Sequence, residues 1–182
     1  DSYDLNNGYI DELRIINGTA VSTGDSHDVP TTRFTGNETN TKLLVRSNQQ
    51  ITDSSSNNTV ILTHGAAGIK KEETNRGSGA HANFGSSAIY MDGTGDYLSF
   101  AISSDFAAEA FGTPSGTDDD FTIEGWYRFD TVSNDIGFWG IDGASELSLY
   151  WYQPSDSLTL RTNSGNLFTA TWSPSANTWY HI

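Results

Sequence analysis

The chain of 182 residues contains no cysteine, one methionine and four prolines. Without cysteine it has no disulfide, no thiolate metal site and no cysteine nucleophile, so its stability has to come from packing, hydrogen bonds or a bound ion. Basic residues are also scarce: nine Lys and Arg stand against 23 Asp and Glu, which gives a formal net charge of −14. A chain with this charge repels phosphate backbones, and we expect no nucleic-acid partner.

Long apolar runs are absent as well. No stretch of the chain approaches the roughly 20 apolar residues that span a bilayer, and the N-terminus lacks the basic and apolar segments of a signal peptide. We therefore expect no membrane insertion. An export signal, if the protein has one, would have to lie outside this sequence.

What the chain does have is aromatic and turn-forming residues. Aromatic residues make up 12% of it, and 18 glycines occur together with many Ser, Thr, Asn and Asp. This composition favours strands separated by turns. Short strand-like segments recur at intervals of roughly 10 residues, which is typical of an antiparallel β-sandwich; they lie at 136–139, 146–152, 157–162, 167–172 and 178–182.

The segment 121–129 is the clearest strand. Phe121, Ile123, Tyr127 and Phe129 fall on one face, and Trp126 makes the opposite face partly apolar, which predicts a central strand with both faces covered. The segments 88–91 and 97–101 flank the bend 92–96 (DGTGD) and are predicted to form a hairpin-like unit. Residues 103–111 suggest one helical turn, and 65–79, which has no clear period, suggests a surface loop.

Four phrases together carry a resemblance to a known family: YIDELRI at 9–15, FGSSA at 84–88 leading into MDGTGDY at 91–97, DFTIEGW at 120–126 and WYH at 179–181. The chain resembles the laminin-G-like, concanavalin A-like jelly-roll domains that recur as tandem copies in phage and bacterial surface proteins. This resemblance implies an all-β fold, an antiparallel β-sandwich of the jelly-roll type.

The order of these phrases predicts how the domains are arranged. The phrase at 9–15 resembles the closing strand of such a domain, yet it precedes phrases that resemble the opening half. We therefore expect residues 1–35 to be the C-terminal strand of a preceding repeat plus a linker at 19–36, and 36–182 to be the N-terminal two-thirds of a second repeat, incomplete at the C-terminus. One alternative stays open, in which 9–16 pairs with 41–46 in the same body.

The resemblance also implies a structural calcium ion. In the family, an aspartate of the closing strand, one in the early Asp-Ser-Ser turn and the loop after the Asp-Gly strand lie near one another at this ion. Here these positions correspond to Asp11, Asp53 and Asp92, and backbone carbonyls near Gly93 would complete a shell of six to eight oxygens. The alternative is that the three aspartates cap turns without a metal.

Family members of this shape often bind glycans on surfaces lined by aromatic rings. The candidates here are Trp126, Trp139, Tyr150, Trp151 and Tyr152, since a flat apolar ring with polar neighbours can stack on a sugar face. The alternative for each ring is packing in the core. Because side chains alternate along a strand, Tyr150 and Trp151 should point to opposite faces.

Nothing in the sequence predicts catalysis. Related jelly rolls that cleave glycosides place carboxylates about 5 Å apart with the spacing Glu-x-Asp-x-x-Glu, and this spacing does not occur here. The four histidines, at 27, 64, 81 and 181, show no metal-like or triad-like grouping. We therefore expect a protein that is not an enzyme.

The sequence thus predicts a non-catalytic glycan-binding or adhesion module in a multidomain surface or virion-associated protein, such as a tail or fibre. Its expected partners are a polysaccharide or cell-surface glycan, and neighbouring repeats or other copies of the chain. Its expected location is extracellular, on a cell surface or on a virion. The alternative function is a structural spacer or fibre building block with no ligand site.

Overall fold

A computed structural model describes residues 7–24, 26, 28–71, 82–101, 120–141 and 147–182. Within these ranges the chain forms thirteen strands and a 3-10 turn at Gln153–Ser155. In chain order the strands are β1 Gly8–Asn17, β2 Thr41–Ser47, β3 Ile51–Asp53, β4 Ile61–His64, β5 Gly68–Lys71, β6 Ser87–Met91, β7 Tyr97–Phe100, β8 Phe121–Phe129, β9 Ile136–Ile141, β10 Leu147–Tyr152, β11 Ser157–Thr162, β12 Gly165–Thr171 and β13 Trp179–His181.

These strands form three antiparallel sheets. The large sheet has seven strands: five follow the order β13-β8-β1-β2-β3, and β6 joins beside β1 and pairs with β5. A four-stranded sheet has the order β12-β11-β10-β9, and β4 and β7 form a two-stranded sheet. The prediction of an all-β fold with antiparallel sheets is confirmed.

The hydrophobic core lies between the large sheet and the two smaller sheets, as in a β-sandwich. The buried apolar residues of the large sheet include Ile10, Leu13, Leu43, Ile89, Tyr127 and Phe129, and those of the four-stranded sheet are Ile136, Phe138, Leu147 and Trp151. Ile61, Leu98 and Phe100 of the two-stranded sheet pack against them. Each fully buried side chain of this kind stabilises the fold by roughly 1.5–3 kcal/mol relative to an exposed one.

Strand β8 has the alternation that the sequence predicts. Tyr127 and Phe129 point into the core, so Trp126 and its alternate neighbours lie on the opposite face, which we call the outer face of the large sheet. Both edges of β8 are paired, one with β13 and one with β1. Gly125 allows close packing of β8 on β1, because a Cβ atom there would lie 3.2 Å from the Cα of Leu13, which is tighter than most Cβ contacts.

Strand β1 lies inside the large sheet. One of its edges pairs with β8, and the other pairs first with β6 and then with β2. The open alternative, pairing of 9–16 with 41–46, is therefore the geometry that the structure contains. The strand from the range 1–35 is a member of the sheet formed by the range 36–182, and its assignment to a preceding repeat stays a prediction.

Two local predictions need correction. The bend 92–96 does not close a hairpin, because β6 belongs to the large sheet and β7 to the two-stranded sheet, so this bend carries the chain from one layer to the other. The segment 65–79 was expected to be a loop, but Gly68–Lys71 forms strand β5 on the edge of β6. The predicted helical turn at 103–111 lies outside the described residues.

The connector between β1 and β2 covers part of the outer face. Phe34 is buried, and its backbone N–H donates to Glu12 Oε2 at 3.2 Å. Arg33 donates to the carbonyl of Phe84 at 2.6 Å. These contacts hold the end of the predicted linker 19–36 against the outer face of the large sheet. Over the described ranges, no helix has the length and apolar character needed to cross a membrane.

Candidate functional site

The aromatic run 150–152 is divided between the two faces of its sheet, as the sequence predicts. Trp151 is 2% exposed in the core, and its indole N–H donates to the carbonyl of Trp172 at 2.8 Å. Tyr150 is 9% exposed, and strand alternation places it on the face opposite to Trp151. Tyr152 is 42% exposed and has a free surface. Of these three rings, only Tyr152 is placed where a sugar can stack.

The other two predicted aromatic residues lie apart from Tyr152. Trp139 packs against the core from β9. Trp126 lies on the outer face of the large sheet, where its ring contacts His181 at 5.2 Å and Phe84 at 5.7 Å between centroids. The five candidate rings therefore do not share one surface, because β8 belongs to the large sheet and β9–β10 to the four-stranded sheet. Whether any single ring binds a glycan stays a prediction.

A different group of exposed and half-buried side chains lies together on the two-stranded sheet. Cross-strand pairing places Leu62 beside Ser99 and His64 beside Tyr97. Since the alternate residues of β4 and β7 pack against the core, these four side chains share the face turned away from it. We call this group, Leu62, His64, Tyr97 and Ser99, the aromatic platform.

The aromatic platform has an ordered geometry. The rings of His64 and Tyr97 are stacked, with centroids 4.1 Å apart and planes inclined by 8°. His64 Nε2 lies 2.8 Å from Ser99 Oγ and forms a hydrogen bond with it. Tyr97 is 50% exposed and Leu62 is 54% exposed. The platform thus offers a flat ring, an apolar neighbour and hydrogen-bonding groups on one surface.

Asp96 holds the backbone on both sides of this stacked pair. Its carboxylate accepts hydrogen bonds from the backbone N–H of Ala66, two residues after His64, and from that of Asp92. Gly65 has φ of +67°, and a Cβ atom there would lie 2.2 Å from Asp96 Oδ1. A glycine is therefore needed for Asp96 to reach this turn. The fixed turn keeps the rings of His64 and Tyr97 stacked.

Sequence reasoning missed this platform because its parts are distant in the chain. His64 and Tyr97 meet only through the β4–β7 register, which no local pattern specifies. The two strands were recognised, but β7 was assigned to a hairpin with β6. The signal that could have found the site is the alternation in β4 and β7, which leaves Leu62 and Tyr97 outward once the core residues are known.

The three predicted calcium ligands occupy separate turns and strands. Asp53 is surrounded by protein donors: the backbone N–H groups of Leu44, Ser55 and Thr59 and the Ser55 hydroxyl donate to it at 2.8–2.9 Å. Burial would raise the pKa of Asp53, but these hydrogen bonds outweigh burial and lower the pKa below 3.8. This is the arrangement of a turn-capping aspartate.

Asp92 and Asp11 are also engaged locally. Asp92 Oδ1 accepts the backbone N–H of Thr94 at 2.9 Å within the bend 92–96, and Asp11 Oδ2 accepts those of Asn83 and Phe84 at 3.2 and 2.9 Å. In the part of the chain that the structure describes, no three acidic or histidine side chains are grouped to hold a metal ion. The calcium site stays a prediction.

A β-bulge in β1 brings two acidic residues onto the outer face. The register with β8 shifts between Asp11 and Arg14, and Glu12 takes a positive φ of 56°. Glu12 is fully buried, with Oε2 3.1 Å from the Nε of Arg46 and Oε1 3.4 Å from the Nε of Arg33. The buried charge of Glu12 is therefore paired with two guanidinium groups.

Glu124 forms a second ion pair on the same face. Its Oε1 accepts from Arg14 Nε at 2.9 Å, and its Oε2 lies 3.1 Å from His181 Nε2. Burial would raise the pKa of Glu124, but the contacts with His181 and Arg14 outweigh it and lower the pKa below 4.5. This cluster joins β1, β8 and β13, and its members are too deeply buried to act on a large ligand.

Asp11 differs from Glu12 and Glu124 in its partners. Among the described residues, no Arg, Lys or His side chain lies within hydrogen-bonding distance of its carboxylate. It is 1% exposed, and its Oδ1 is buried without a hydrogen-bond partner there. Burial is the main cause that raises the pKa of Asp11 to about 6, and the nearby Glu12 adds to it. Ionisation of Asp11 therefore opposes folding at neutral pH.

A shallow depression of about 600 Å³ lies at the β2–β3 turn. Asn48, Gln49, Gln50 and Thr52 line it. These side chains can form hydrogen bonds with a polar ligand, but none of them provides an aromatic face. Of these two surfaces, the aromatic platform is therefore the better candidate for ligand binding.

Comparisons of the chain with family models, with curated proteins and with solved structures found no match. The resemblance to laminin-G-like domains consequently stays a prediction from the four sequence phrases.

Proposed function

We propose that this chain is a non-catalytic glycan-binding module of a multidomain adhesion protein, and that the glycan binds on the aromatic platform. One observation supports this proposal above the others: the half-exposed ring of Tyr97 stacked on His64. Leu62 and Tyr97 are both half-exposed on the same face of the two-stranded sheet, and grouped exposed apolar side chains are a feature of binding surfaces.

The chemistry of the platform suits a sugar. A pyranose ring has one apolar C–H face, which packs on a flat aromatic ring, and hydroxyl groups at its edge, which need hydrogen-bond partners. The Tyr97 ring and Leu62 supply apolar surface, and Ser99, His64 and the Tyr97 hydroxyl supply donors and acceptors. Because His64 packs against the Tyr97 ring, little side-chain entropy is lost when a ligand binds.

The setting that we propose is extracellular, on a cell surface or on a virion. A single shallow site of this kind binds weakly, and several tandem copies on one protein would raise the overall avidity by a factor of roughly 10²–10⁴. Repetition of laminin-G-like units would provide such copies. Neighbouring repeats are thus proposed partners in addition to the glycan.

The test is a glycan array probed with the intact chain and with Tyr97→Ala. We expect Tyr97→Ala to weaken binding about tenfold, which corresponds to about 1.4 kcal/mol. Tyr152→Ala is the matched control, since Tyr152 is a tyrosine of similar exposure on a different sheet, and it should bind as the wild type does. Melting curves of both variants should show that they are folded.

Other outcomes would move or remove the site. If Tyr152→Ala or Trp126→Ala loses binding while Tyr97→Ala keeps it, the glycan binds at one of the rings that the sequence predicts. If folded wild-type protein binds no glycan on the array, the adhesion proposal is wrong.

A structural spacer is the second candidate, and one observation favours it. Much of the aromatic content serves packing rather than surface display: Tyr127, Phe129, Phe138, Trp172 and Tyr180 form ring contacts with centroids 5.0–6.2 Å apart in the interior. Richness in aromatic residues is therefore not by itself a sign of binding. A protein that is stable and binds no glycan would support this function.

A further inference from the structure

The aromatic platform contains no side chain with a permanent charge. Its two strands, Ile61–His64 and Tyr97–Phe100, contain no Asp, Glu, Lys or Arg. The nearest acidic residue in the sequence, Asp96, is fully buried, and its carboxylate is directed to the backbone of Ala66 and Asp92. The exposed groups of the platform are therefore rings, hydroxyls and an aliphatic side chain.

The rest of the chain adds a repulsive field for anions. Nine basic residues against 23 acidic ones give a formal net charge of −14. A site that recognises a carboxylate or sulfate group normally supplies an Arg or Lys to pair with it, because an unpaired anion loses hydration at a protein surface without compensation. The platform strands supply neither residue.

We infer that the ligand of the aromatic platform is a neutral glycan, composed of uncharged hexoses or N-acetylhexosamines, and that acidic glycans are rejected. This inference depends on the proposed function, because it specifies the ligand class of the same site. Two features give the selectivity: stacking on Tyr97 needs only an apolar sugar face, and the lack of a cation removes the partner that a uronic or sulfated sugar requires.

The first experiment scores the glycan array by charge class and then titrates the best neutral polysaccharide by calorimetry. We expect all hits to be neutral, and polygalacturonate and heparin to show no heat of binding at about 50 mM salt. The Kd for the neutral ligand should change by less than about twofold between 50 and 500 mM salt, because screening acts only on charged pairs. Hits confined to acidic glycans, or a Kd that rises steeply with salt, would overturn the inference.

A gain-of-function variant tests the cause. Leu62→Lys places a cation on the platform at a side chain that is 54% exposed, and it should create salt-sensitive binding to polygalacturonate. Val29→Lys, at a side chain that is 50% exposed in the connector, changes the net charge equally and should not. If both variants bind polygalacturonate equally, net charge and not the platform determines the selectivity, and the assignment to this site is wrong.

The two proposals fail in different ways. Binding of acidic glycans that Tyr97→Ala abolishes would contradict the neutral ligand class and leave the platform as a glycan site. If the chain binds no glycan, or if Tyr97→Ala does not change glycan binding, the proposed function itself is contradicted.

Discussion

Asp11→Asn is expected to stabilise the protein at neutral pH, although it alters a fully buried residue of a central strand. In the folded protein the ionised carboxylate has lost its hydration, and its Oδ1 has no hydrogen-bond partner among the described residues. The asparagine side chain has nearly the same shape, and its oxygen can still accept the backbone N–H groups of Asn83 and Phe84. The substitution therefore removes the buried charge and keeps the packing.

The pKa of Asp11 sets the size of the effect. Burial raises this pKa from 3.8 to about 6, and each pKa unit corresponds to about 1.4 kcal/mol, so ionised Asp11 costs roughly 3 kcal/mol of folding free energy. The new amide N–H₂ has to be accommodated where Oδ1 had no partner, which offsets part of this gain. We expect Asp11→Asn to raise the free energy of unfolding by about 1–3 kcal/mol at pH 7–8.

The pH dependence distinguishes this cause from others. Because the pKa of Asp11 is raised in the folded state, its stabilising contribution is complete below pH 3.8 and is lost as the pH rises through about 6. Urea unfolding of wild type and Asp11→Asn between pH 4 and pH 8 should show curves that lie close together at pH 4 and separate as the pH rises. The expected separation is largest above pH 6.

Glu12→Gln is the matched control. Glu12 is equally buried and adjacent, but it is paired with Arg33 and Arg46, so its neutralisation should destabilise the protein at neutral pH. An Asp11→Asn variant that is no more stable than wild type at pH 8, or whose advantage does not grow with pH, would refute the reasoning.

Three further perturbations have expected outcomes. Glu124→Gln should lower the free energy of unfolding by about 3–5 kcal/mol at pH 7, because it breaks a buried pair with Arg14 and His181. Since the pKa of Glu124 is lowered, the difference in unfolding free energy between wild type and variant should vanish as the pH falls below 4.5. Urea unfolding measures this difference. If calcium contributes to stability, adding it after EDTA should raise the Tm, and an unchanged Tm would refute the ion. Residues 36–182 without β1 should aggregate, since the large sheet loses its interior strand; a soluble fragment with a sharp melting transition would contradict this.

The parts of the fold that were predictable from sequence are those governed by local periodicity. Strand β8 was predicted with its correct faces, because Phe121, Ile123, Tyr127 and Phe129 recur at every second position, with Thr122, Glu124, Trp126 and Arg128 on the other face. The strands β9 to β13 were found from their regular spacing. A period of two reports directly which face is buried, so these predictions needed no knowledge of the partner strands.

What could not be predicted depends on pairing between distant segments. The bend at 92–96 has the residues of a hairpin turn, yet β6 and β7 separate because β1 and β5 flank β6 and β4 pairs with β7. The aromatic platform depends on the same pairing. The bulge at Glu12 was invisible for a related reason: YIDELRI reads as one alternating strand, and only its contact with β8 shows that Asp11 and Glu12 both turn to the outer face.

The position of β1 has a consequence for how the chain is made. Arg14 leaves the ribosome 110 residues before its partner Glu124, and at about 5–20 residues per second this delay is on the order of ten seconds. Throughout that time strand β1 lacks its partner strand β8, so one of its edges is unpaired. The nascent chain is thus most vulnerable to misassociation between the synthesis of β1 and the synthesis of β8, and slowing elongation over this interval should reduce the yield of native protein in cells that lack a holding chaperone.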